Sequence, residues 1–373
     1  MKVDKSKRKI CLLEEICSIR TGKKDANHAD DNGCYPFFTC GAIPLKSTTY
    51  SFEGANLIVP GNGDIGRCFY YDGKIEAYQR TYVIQLKDNS NIDTKYLYSI
   101  FKACWKSYIE NKILGAAMPY IKLGHLNSFP IPIYDLDIQL LITSELDAMQ
   151  AMIDGYKTQI TDLDALAQSI FLDMFGDPVT NPKGWNLQTL KEVCSHIVDC
   201  PHSTPQKSAI PTEYPCIRTS ELTDSGIEWN TMQYLNEEEY LKRTHRLKPQ
   251  FGDLIYGREG TVGGCIMVPK EKHFSLGQRT MLFRPSKINS YLLLAIIRSP
   301  WIRNQAEQKT VGQTVKHINI KDIIEFTIPV PPRTLQQHFA TQVEAIELQK
   351  ELLRQQLADA ETLMAERMQY YFS

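Results

Sequence analysis

Two glycine-rich stretches have the spacing of a loop that binds phosphate. One is "GDLIYGREGTVGG" at residues 252–264, and "ANLIVPGNGDIGRC" at residues 55–68 places Gly61, Gly63 and Gly66 in the order G-x-G-x-x-G. Such glycines bind a dinucleotide when they follow a strand and open a helix, because the helix N-terminus then faces the pyrophosphate. The sequence after Gly66, "RCFYYDGKIEAYQRTYVIQL", is aromatic and contains a turn, which predicts a strand, a turn and a strand. We therefore interpret both stretches as turns between strands.

A second group of residues has the chemistry of a metal site. The segment "CSHIVDCPH" contains Cys194, His196, Cys200 and His202, all of them zinc-ligand types. Their spacing matches no standard zinc finger, so we favour the alternative that they are buried or loop residues, and we expect no metal. The ten cysteines form no C-x-x-C pair, which is typical of reduced, structural cysteines. Neither G-x-x-x-x-G-K-[ST] nor [DNS]-P-P-[FYW] occurs, so an ATPase P-loop and an amino-methyltransferase site are not expected.

The glycine-rich stretches belong to an internal repeat. Gly63 and Gly66 recur 197 residues later as Gly260 and Gly263. The segment "AYQRTYVIQL" recurs as "LGQRTMLFRP", and "FPIPI" recurs as "FTIPV". A fixed offset of this kind indicates a duplicated structural unit. Strand-like runs between glycine and Asn/Asp turns, with a helical segment before the end of each copy, predict two β-rich domains of the α+β class.

Each copy is followed by a segment with a heptad pattern. Apolar residues alternate spacings of four and three residues in both segments, which predicts two long coiled-coil helices. We expect the two helices to pair with each other in antiparallel orientation; the alternative is that each packs on its own domain. Lys350 is a polar break in the second pattern. The seam residues are Met149, Ile153, Tyr156, Ile160, Leu163, Ala167, Ile170 and Met174 in the first helix, and Phe339, Val343, Ile346, Leu353, Leu357, Ala360 and Met364 in the second.

The predicted organisation is a domain at residues 1–134, a helix at 135–177, a domain at 178–332 and a helix at 333–373. Formal charge follows a similar division: the overall −1 combines +5 and +4 on the two β-rich blocks with −8 and −2 on the helical ones. Basic blocks suit a polyanion partner, although an ordinary solvated surface is the alternative. Two such domains on a rigid spacer would read two separate stretches of DNA, whose major groove returns after ~34–36 Å.

The composition also bears on location. No apolar run reaches the ~18 residues of a membrane helix. The basic start, "MKVDKSKRKICLLEEI", lacks the apolar core of a signal peptide. We expect a cytoplasmic protein without a membrane partner.

The whole chain resembles the DNA-specificity subunits of Type I restriction-modification systems. The resemblance is carried by "GDLIYGREGTVG", "GQRTMLFRP", "FLDMFGDPVTNPKGW", "IPVPPRTLQQHFATQVEAIELQKELL" and the order domain, helix, domain, helix. It implies that each β-rich block is a target-recognition domain for one half of an asymmetric bipartite site in double-stranded DNA, and that the helices set the gap.

The resemblance also implies a chain that is not an enzyme. It implies methyltransferase (modification) subunits as partners, typically two, and restriction subunits that translocate DNA. S-adenosylmethionine, ATP and Mg²⁺ would be bound by those partners, and no cofactor by this chain. Two other hypotheses remain open: a stand-alone nuclease or methyltransferase with degenerate motifs, and a coiled-coil interaction protein that does not bind DNA.

Candidate DNA-binding residues are chosen by the chemistry of contact. Phosphates are bound by Lys and Arg, whereas bases are read by Arg or Lys on guanine and by Asn or Gln on adenine. The Gln-Arg pairs that both copies share are more typical of scaffold or phosphate contacts than of base readout. We expect the helical seam residues to form the coiled-coil and partner interface. The DNA candidates are Arg20, Lys23, Lys24, Lys46, Gln79 and Arg80 in the first domain, and Lys207, Arg218, Arg258, Gln278, Arg279, Lys316 and His317 in the second.

Overall fold

The structure is a computed structural model that describes residues 3–88, 90–115, 117–223, 226–259, 263–270, 272–310 and 317–373. Contacts group the chain into two compact units. The first contains Met1–Thr158 and Arg354–Ser373, and the second contains Gln159–Leu353. Each unit holds one β-rich domain and a part of both long helices. The four blocks expected from the sequence stay a prediction, because the contacts divide the chain differently.

The first β-rich domain is built on two small sheets. Its strands are β1 (Lys9–Leu12), β2 (Cys17–Thr21), β3 (Tyr35–Phe38), β4 (Leu45–Ser47), β5 (Ala55–Pro60), β6 (Phe69–Asp72), β7 (Glu76–Ala77), β8 (Thr81–Leu86) and β9 (Pro130–Ile133). Strands β2, β8, β5 and β6 form an antiparallel sheet in that order. Strands β4, β3 and β7 form the other sheet, in which β3 and β7 are parallel. The first and last strands, β1 and β9, pair with each other.

Short helices cover the core of this domain. They are α1 (Leu13–Ile16), α2 (Thr94–Ile100), α3 (Lys106–Glu110) and α4 (Leu123–Asn127), and the chain then enters the long helix α5 (Leu136–Phe175). A π-helical segment, Phe101–Trp105, joins α2 to α3. The indole of Trp105 is fully buried, and its Nε1 donates a hydrogen bond to the Ile65 carbonyl at 2.8 Å. This bond ties the helical segment to the first glycine-rich loop.

The second β-rich domain repeats the same strand order. Its strands are β10 (Asn186–Thr189), β11 (Cys194–Asp199), β12 (Tyr214–Ile217), β13 (Leu222–Thr223), β14 (Gly226–Ile227), β15 (Gln233–Leu235), β16 (Leu254–Gly257), β17 (Cys265–Met267), β18 (Ser275–Leu276), β19 (Thr280–Pro285) and β20 (Thr327–Val330). The four-stranded order β11-β19-β16-β17 matches β2-β8-β5-β6, and β15-β12-β18 matches β4-β3-β7. The pair β10–β20 matches β1–β9. The internal repeat is therefore confirmed.

The helices of the second unit end with the other long helix. They are α6 (Leu190–Val193), α7 (Glu237–Thr244), α8 (Ser290–Arg298), α9 (Pro300–Lys309), α10 (Ile320–Ile323) and α11 (Arg333–Phe372). Helix α7 and the hairpin β13–β14 have no counterpart among the described residues of the first domain. The repeat therefore differs by insertions between equivalent strands.

The two long helices pair in antiparallel orientation within each unit. In the first unit Lys157 forms an ion pair with Glu361 at 2.9 Å, and Glu145, earlier on α5, accepts a hydrogen bond from Tyr371, later on α11. In the second unit Phe171 and Phe175 of α5 pack against Phe339 near the start of α11. Residues that lie later on α5 thus contact residues that lie earlier on α11, which is the pattern of an antiparallel pair. The predicted α+β class with two repeated β-rich domains is confirmed, and within each unit the two long helices run antiparallel.

The end of α5 has the expected stop signal. Gly176 has φ +77°, a left-handed conformation that favours glycine, and its amide donates to the Leu172 carbonyl at 2.8 Å. None of the helices within the described ranges is both long and apolar enough to cross a membrane.

Candidate nucleic-acid interface

The two glycine-rich stretches are turns between antiparallel strands, as predicted. The first joins β5 to β6, and the second joins β16 to β17. Gly63 and Gly263 have φ +73° and +103°, conformations that other residues rarely adopt. No helix follows either loop directly, so neither has the geometry of a dinucleotide fingerprint. Gly260 lies outside the described residues.

The same backbone hydrogen bonds hold both loops. In the first domain, the Gly61 amide donates to the Arg80 carbonyl at 2.8 Å, and the Gly61 carbonyl accepts from the Ile121 amide at 2.9 Å. In the second domain, Arg258 makes the equivalent bonds with the Arg279 carbonyl and the Ile318 amide, both at 3.0 Å. The shared Gln-Arg-Thr segments therefore have a scaffold role through their backbone. Their Gln and Arg side chains are exposed.

Four of the first domain's candidates lie around this loop. The carbonyl of Lys24 accepts from the Gln79 amide at 2.9 Å, while Lys23 and Arg80 are exposed beside them. The other two candidates lie on strands. Arg20, on β2, donates to Gln85 Oε1 and lies 5.0 Å from the Phe52 ring centroid.

Lys46, on β4, donates to the Asp31 carbonyl at 3.3 Å. Both Arg20 and Lys46 therefore have contacts within the protein. The assignment of the six residues to DNA stays a prediction.

The second domain's candidates divide into exposed and engaged side chains. Gln278 and Lys207 are exposed, and Gln278 donates to Thr204 Oγ1 at 3.4 Å. Arg218 is engaged: it pairs with the fully buried carboxylate of Glu221 and donates to the Thr231 carbonyl at 3.1 Å. A guanidinium held in this way stabilises its own loop and is less available to DNA.

His317 is partly buried and forms an isolated β-bridge with Glu259, while Lys316 lies outside the described residues. The seven assignments to DNA likewise stay predictions.

Arg258 stands in the middle of a row of alternating charges. Its Nε donates to Asp199 Oδ1 at 3.0 Å, and its Nη1 to Glu259 Oε1 at 2.6 Å. Glu259 Oε2 in turn lies 3.3 Å from Nε of Arg279. Burial alone would lower the pKa of Arg258, but the charge and hydrogen bonds of Asp199 and the charge of Glu259 raise it. Arg258 is 11% exposed, whereas Arg279 is 50% exposed at the end of the row.

The acids of this row were missed as functional candidates. Neither Glu259 nor Asp199 was among the candidate residues chosen from the sequence. The signal that existed was the acid directly after Arg258. The contact with Asp199 depends on the pairing of β11 with β19, and of β19 with β16, which no local pattern reveals.

The group of cysteines and histidines is dispersed. Cys194 and Cys200 are buried, whereas His196 and His202 are exposed. Burial raises the pKa of the Cys194 thiol to about 12, which opposes the thiolate form that binds zinc. Within the described ranges, no group of three or more His, Cys, Asp or Glu residues is placed to hold a metal ion.

The seam residues of both helices face inward. Ile153 is buried in the first unit, and Phe339, Ile346 and Leu353 in the second. Lys350 lies in the same row and is also buried, with Nζ 2.5 Å from Asp164 Oδ1 and 2.8 Å from Glu347 Oε1. The other seam residues are half-buried or buried: Met149, Tyr156, Ile160, Leu163, Ala167, Ile170, Met174, Val343, Leu357, Ala360 and Met364.

A family comparison agrees with this architecture. The model of the Type I restriction modification DNA specificity domain matches residues 6–163 and again residues 182–362. The chain belongs to this family. Each match contains one of the two β-rich domains, so the DNA specificity domain is present twice. Sequence-specific recognition of DNA is the function of the chain.

Individual relatives support the same assignment. The specificity subunit of the Escherichia coli Type I restriction enzyme EcoDI is 26% identical over 390 residues, which covers 93% of this chain and 83% of that one. The EcoKI specificity subunit of E. coli K12 is 23% identical over 278 residues, or 69% of this chain and 59% of that one.

A solved S subunit of a Type I restriction-modification system from M. genitalium has a similar fold. The two structures superpose with a TM-score of 0.66 at 13% identity, and the match covers 100% of this chain and 98% of the M. genitalium chain. At this identity the likeness establishes the fold alone.

Proposed function

We propose that this chain is the DNA-recognition subunit of a Type I restriction-modification complex and that each β-rich domain reads one half of an asymmetric bipartite target. The observation that carries the proposal is the pair of equivalent loops. Gly61 and Arg258 make the same backbone bonds, yet their side chains and those of their neighbours differ. One scaffold with two different surfaces suits the recognition of two different half-sites.

The long helices are proposed to set the gap between the half-sites. Each is one continuous 40-residue helix that contributes to both units. A coiled coil with a regular seam resists bending, so its length would fix the number of unread base pairs. The charge pattern supports this role, since residues 135–178 carry net −8 and are unsuited to lie against phosphates.

The outer faces of the helices are proposed to bind methyltransferase subunits. Leu348 and Leu352 lie one helical turn apart on α11, outside its buried seam. They are large apolar residues, yet they are 66% and 60% exposed. Leu166 and Leu363 are exposed as well, and they occupy equivalent positions 197 residues apart. Equivalent exposed leucines on two helices suit two copies of one partner.

Chemistry is proposed to belong to the partners. The methyltransferase subunits would bind S-adenosylmethionine, and restriction subunits would use ATP and Mg²⁺ to translocate and cleave DNA. This chain would supply DNA position and sequence preference. The purified chain should accordingly show no methyl transfer with S-adenosylmethionine and no cleavage with ATP and Mg²⁺.

Selection from a random duplex library tests the proposal. The chain is co-purified with its methyltransferase partner, and bound duplexes are sequenced at low and moderate salt. We expect two short conserved segments separated by a constant, unconserved gap, with affinity that falls as salt rises because phosphate contacts release counterions. One continuous conserved segment, or turnover by the chain alone, would overturn the proposal.

A further inference from the structure

We propose that Arg279 reads a guanine in the half-site of the second domain and that Asp199, Arg258 and Glu259 hold its side chain in position. The inference rests on the proposed function, because it needs this domain to face DNA bases. Arg258 lies in the same loop and was predicted to contact DNA; in this proposal it positions Arg279 instead.

A row of ion pairs ends at Arg279. Arg258 is anchored by Asp199 on β11, where Nε and Oδ1 lie 3.0 Å apart, and it binds Glu259 at 2.6 Å. Glu259 is thereby fixed and places Oε2 3.3 Å from Nε of Arg279. Reaching DNA would require Arg258 to give up two ion pairs from a nearly buried site. Arg279 gives up none, because it is already half exposed.

The backbone of Arg279 is also held in an unusual conformation. Its φ is +69°, which is uncommon for a residue with a side chain. Such a conformation persists only where the surroundings hold it, and it is found preferentially at functional sites. Here the Arg279 carbonyl accepts the Arg258 amide at 3.0 Å, so the same loop that orients the side chain also holds the backbone.

The proposed guanine contact uses the two Nη nitrogens of the Arg279 guanidinium, a side chain that is 50% exposed. Among the described residues, Glu259 contacts the Arg279 side chain at Nε. The two Nη groups therefore remain, and together they match the O6 and N7 acceptors of guanine in the major groove. A carboxylate beside this arginine favours a base over a phosphate, because Glu259 would repel a phosphate but would accept a hydrogen bond from the N4 amino group of a neighbouring cytosine.

The described part of the first domain has no equivalent of this arrangement. Gly61 and Asn62 take the places of Arg258 and Glu259. Within the part of the chain that the structure describes, the Arg80 guanidinium has no ion-pair partner, and φ of Arg80 is not positive. Arg80 is therefore the matched control: it occupies the equivalent position of the repeated scaffold, without the row of charges and without the positive φ.

The experiment measures the binding of the chain with its methyltransferase partner to duplexes carrying the selected site and each single base-pair change in the second half-site. The variants are Arg279→Gly, Glu259→Gln, Glu259→Asp and Arg80→Gly. Glycine is chosen at position 279 because it adopts positive φ without strain, so the variant should fold at least as well. Thermal unfolding of each variant checks this.

With the original chain, we expect one G·C pair of the second half-site whose exchange weakens binding roughly 5- to 150-fold. Arg279→Gly should abolish the preference at that base pair and leave the preferences at the other base pairs unchanged. Glu259→Gln should reduce the preference at the same pair, and Glu259→Asp should restore part of it. Arg80→Gly should weaken all duplexes equally.

Three outcomes overturn the inference and leave the proposed function intact. Arg279→Gly retains every base preference, it weakens all duplexes uniformly as a phosphate contact would, or the second half-site contains no G·C pair. Failure of the proposed function looks different, because the original chain would then show no bipartite preference.

Discussion

The buried lysine of the helical seam gives a sharp prediction about stability. Lys350 is 4% exposed and shares its ammonium between Asp164 and Glu347, which are 51% and 42% exposed. A hydrogen bond to a charged group is worth ~1.5–3 kcal/mol, and removing one acceptor leaves the buried ammonium with a single partner. We therefore expect Asp164→Ala to lower the free energy of unfolding of the second unit by ~1.5–3 kcal/mol.

Removing the charge itself should have the opposite result. Lys350→Met keeps the unbranched shape and most of the length of the side chain, and both freed carboxylates can turn toward water. Replacing a buried ion pair by an apolar side chain is often neutral or stabilising, so we expect the free energy of unfolding to stay unchanged or rise by up to ~2 kcal/mol. The repeat supports this expectation, since the position equivalent to Lys350 is the buried Ile153.

A matched control exists in the first unit. Glu361 is equivalent to Asp164, and its partner Lys157 is 53% exposed. An exposed pair contributes less than ~1 kcal/mol, so Glu361→Ala should have a small effect. Urea unfolding followed by circular dichroism gives each value, and the double variant Asp164→Ala with Lys350→Met completes a cycle. Equal losses for Asp164→Ala and Glu361→Ala, or an unchanged loss when Lys350 is already methionine, would contradict the role assigned to the buried pair.

Three further predictions concern the spacer, the first loop and the partner surface. Deleting the heptad Ile153–Gln159 shortens α5 by ~10 Å and should change the preferred gap or abolish specific binding; sites with an unchanged gap would contradict a spacer role. Gly61→Arg, which copies the second domain, should destabilise the first unit by ~1–3 kcal/mol in thermal unfolding, because a Cβ at Gly61 would lie 2.3 Å from the Arg80 carbonyl oxygen. Gly124→Ala, which meets no atom within 4 Å, is its control, and an equal loss would show that the contact is unimportant. Leu348→Ser with Leu352→Ser should weaken binding of the methyltransferase subunit in titration calorimetry at least tenfold (~1.4 kcal/mol), whereas Leu241→Ser, 57% exposed on α7, should not; equal affinities would place the partner elsewhere.

The regular features of the fold could be predicted because their physics is local. A heptad repeat predicts both the helix and the residues of its apolar seam. The seam residues between Met149 and Met174 can therefore be assigned to one face of the helix without knowledge of any contact. The glycine-rich loops could be distinguished from a phosphate site because a strand, and not a helix, comes after each of them. The first long strands of the two domains, β2 and β11, occupy equivalent edges of their four-stranded sheets.

The parts that could not be predicted depend on partners distant in sequence. Lys350 was visible as a polar break, but its partner Asp164 lies 186 residues away on the other helix. Arg258 had the chemistry of a DNA contact, and only the pairing of three strands brings Asp199 to it. Charged loop residues are therefore the least predictable from sequence, because an arginine is free or engaged according to acids that arrive from elsewhere in the chain.

Mapping of methylated bases in cells that contain this chain and its methyltransferase partner examines the whole proposal at once. Genomic DNA is sequenced with detection of methylation, and cells with the partner alone are the control. We expect methylation only when the chain is present, at sites made of two different short half-sites with one fixed gap. Methylation without the chain, or at sites with a single uninterrupted recognition sequence, would contradict the assignment of sequence recognition to its two β-rich domains.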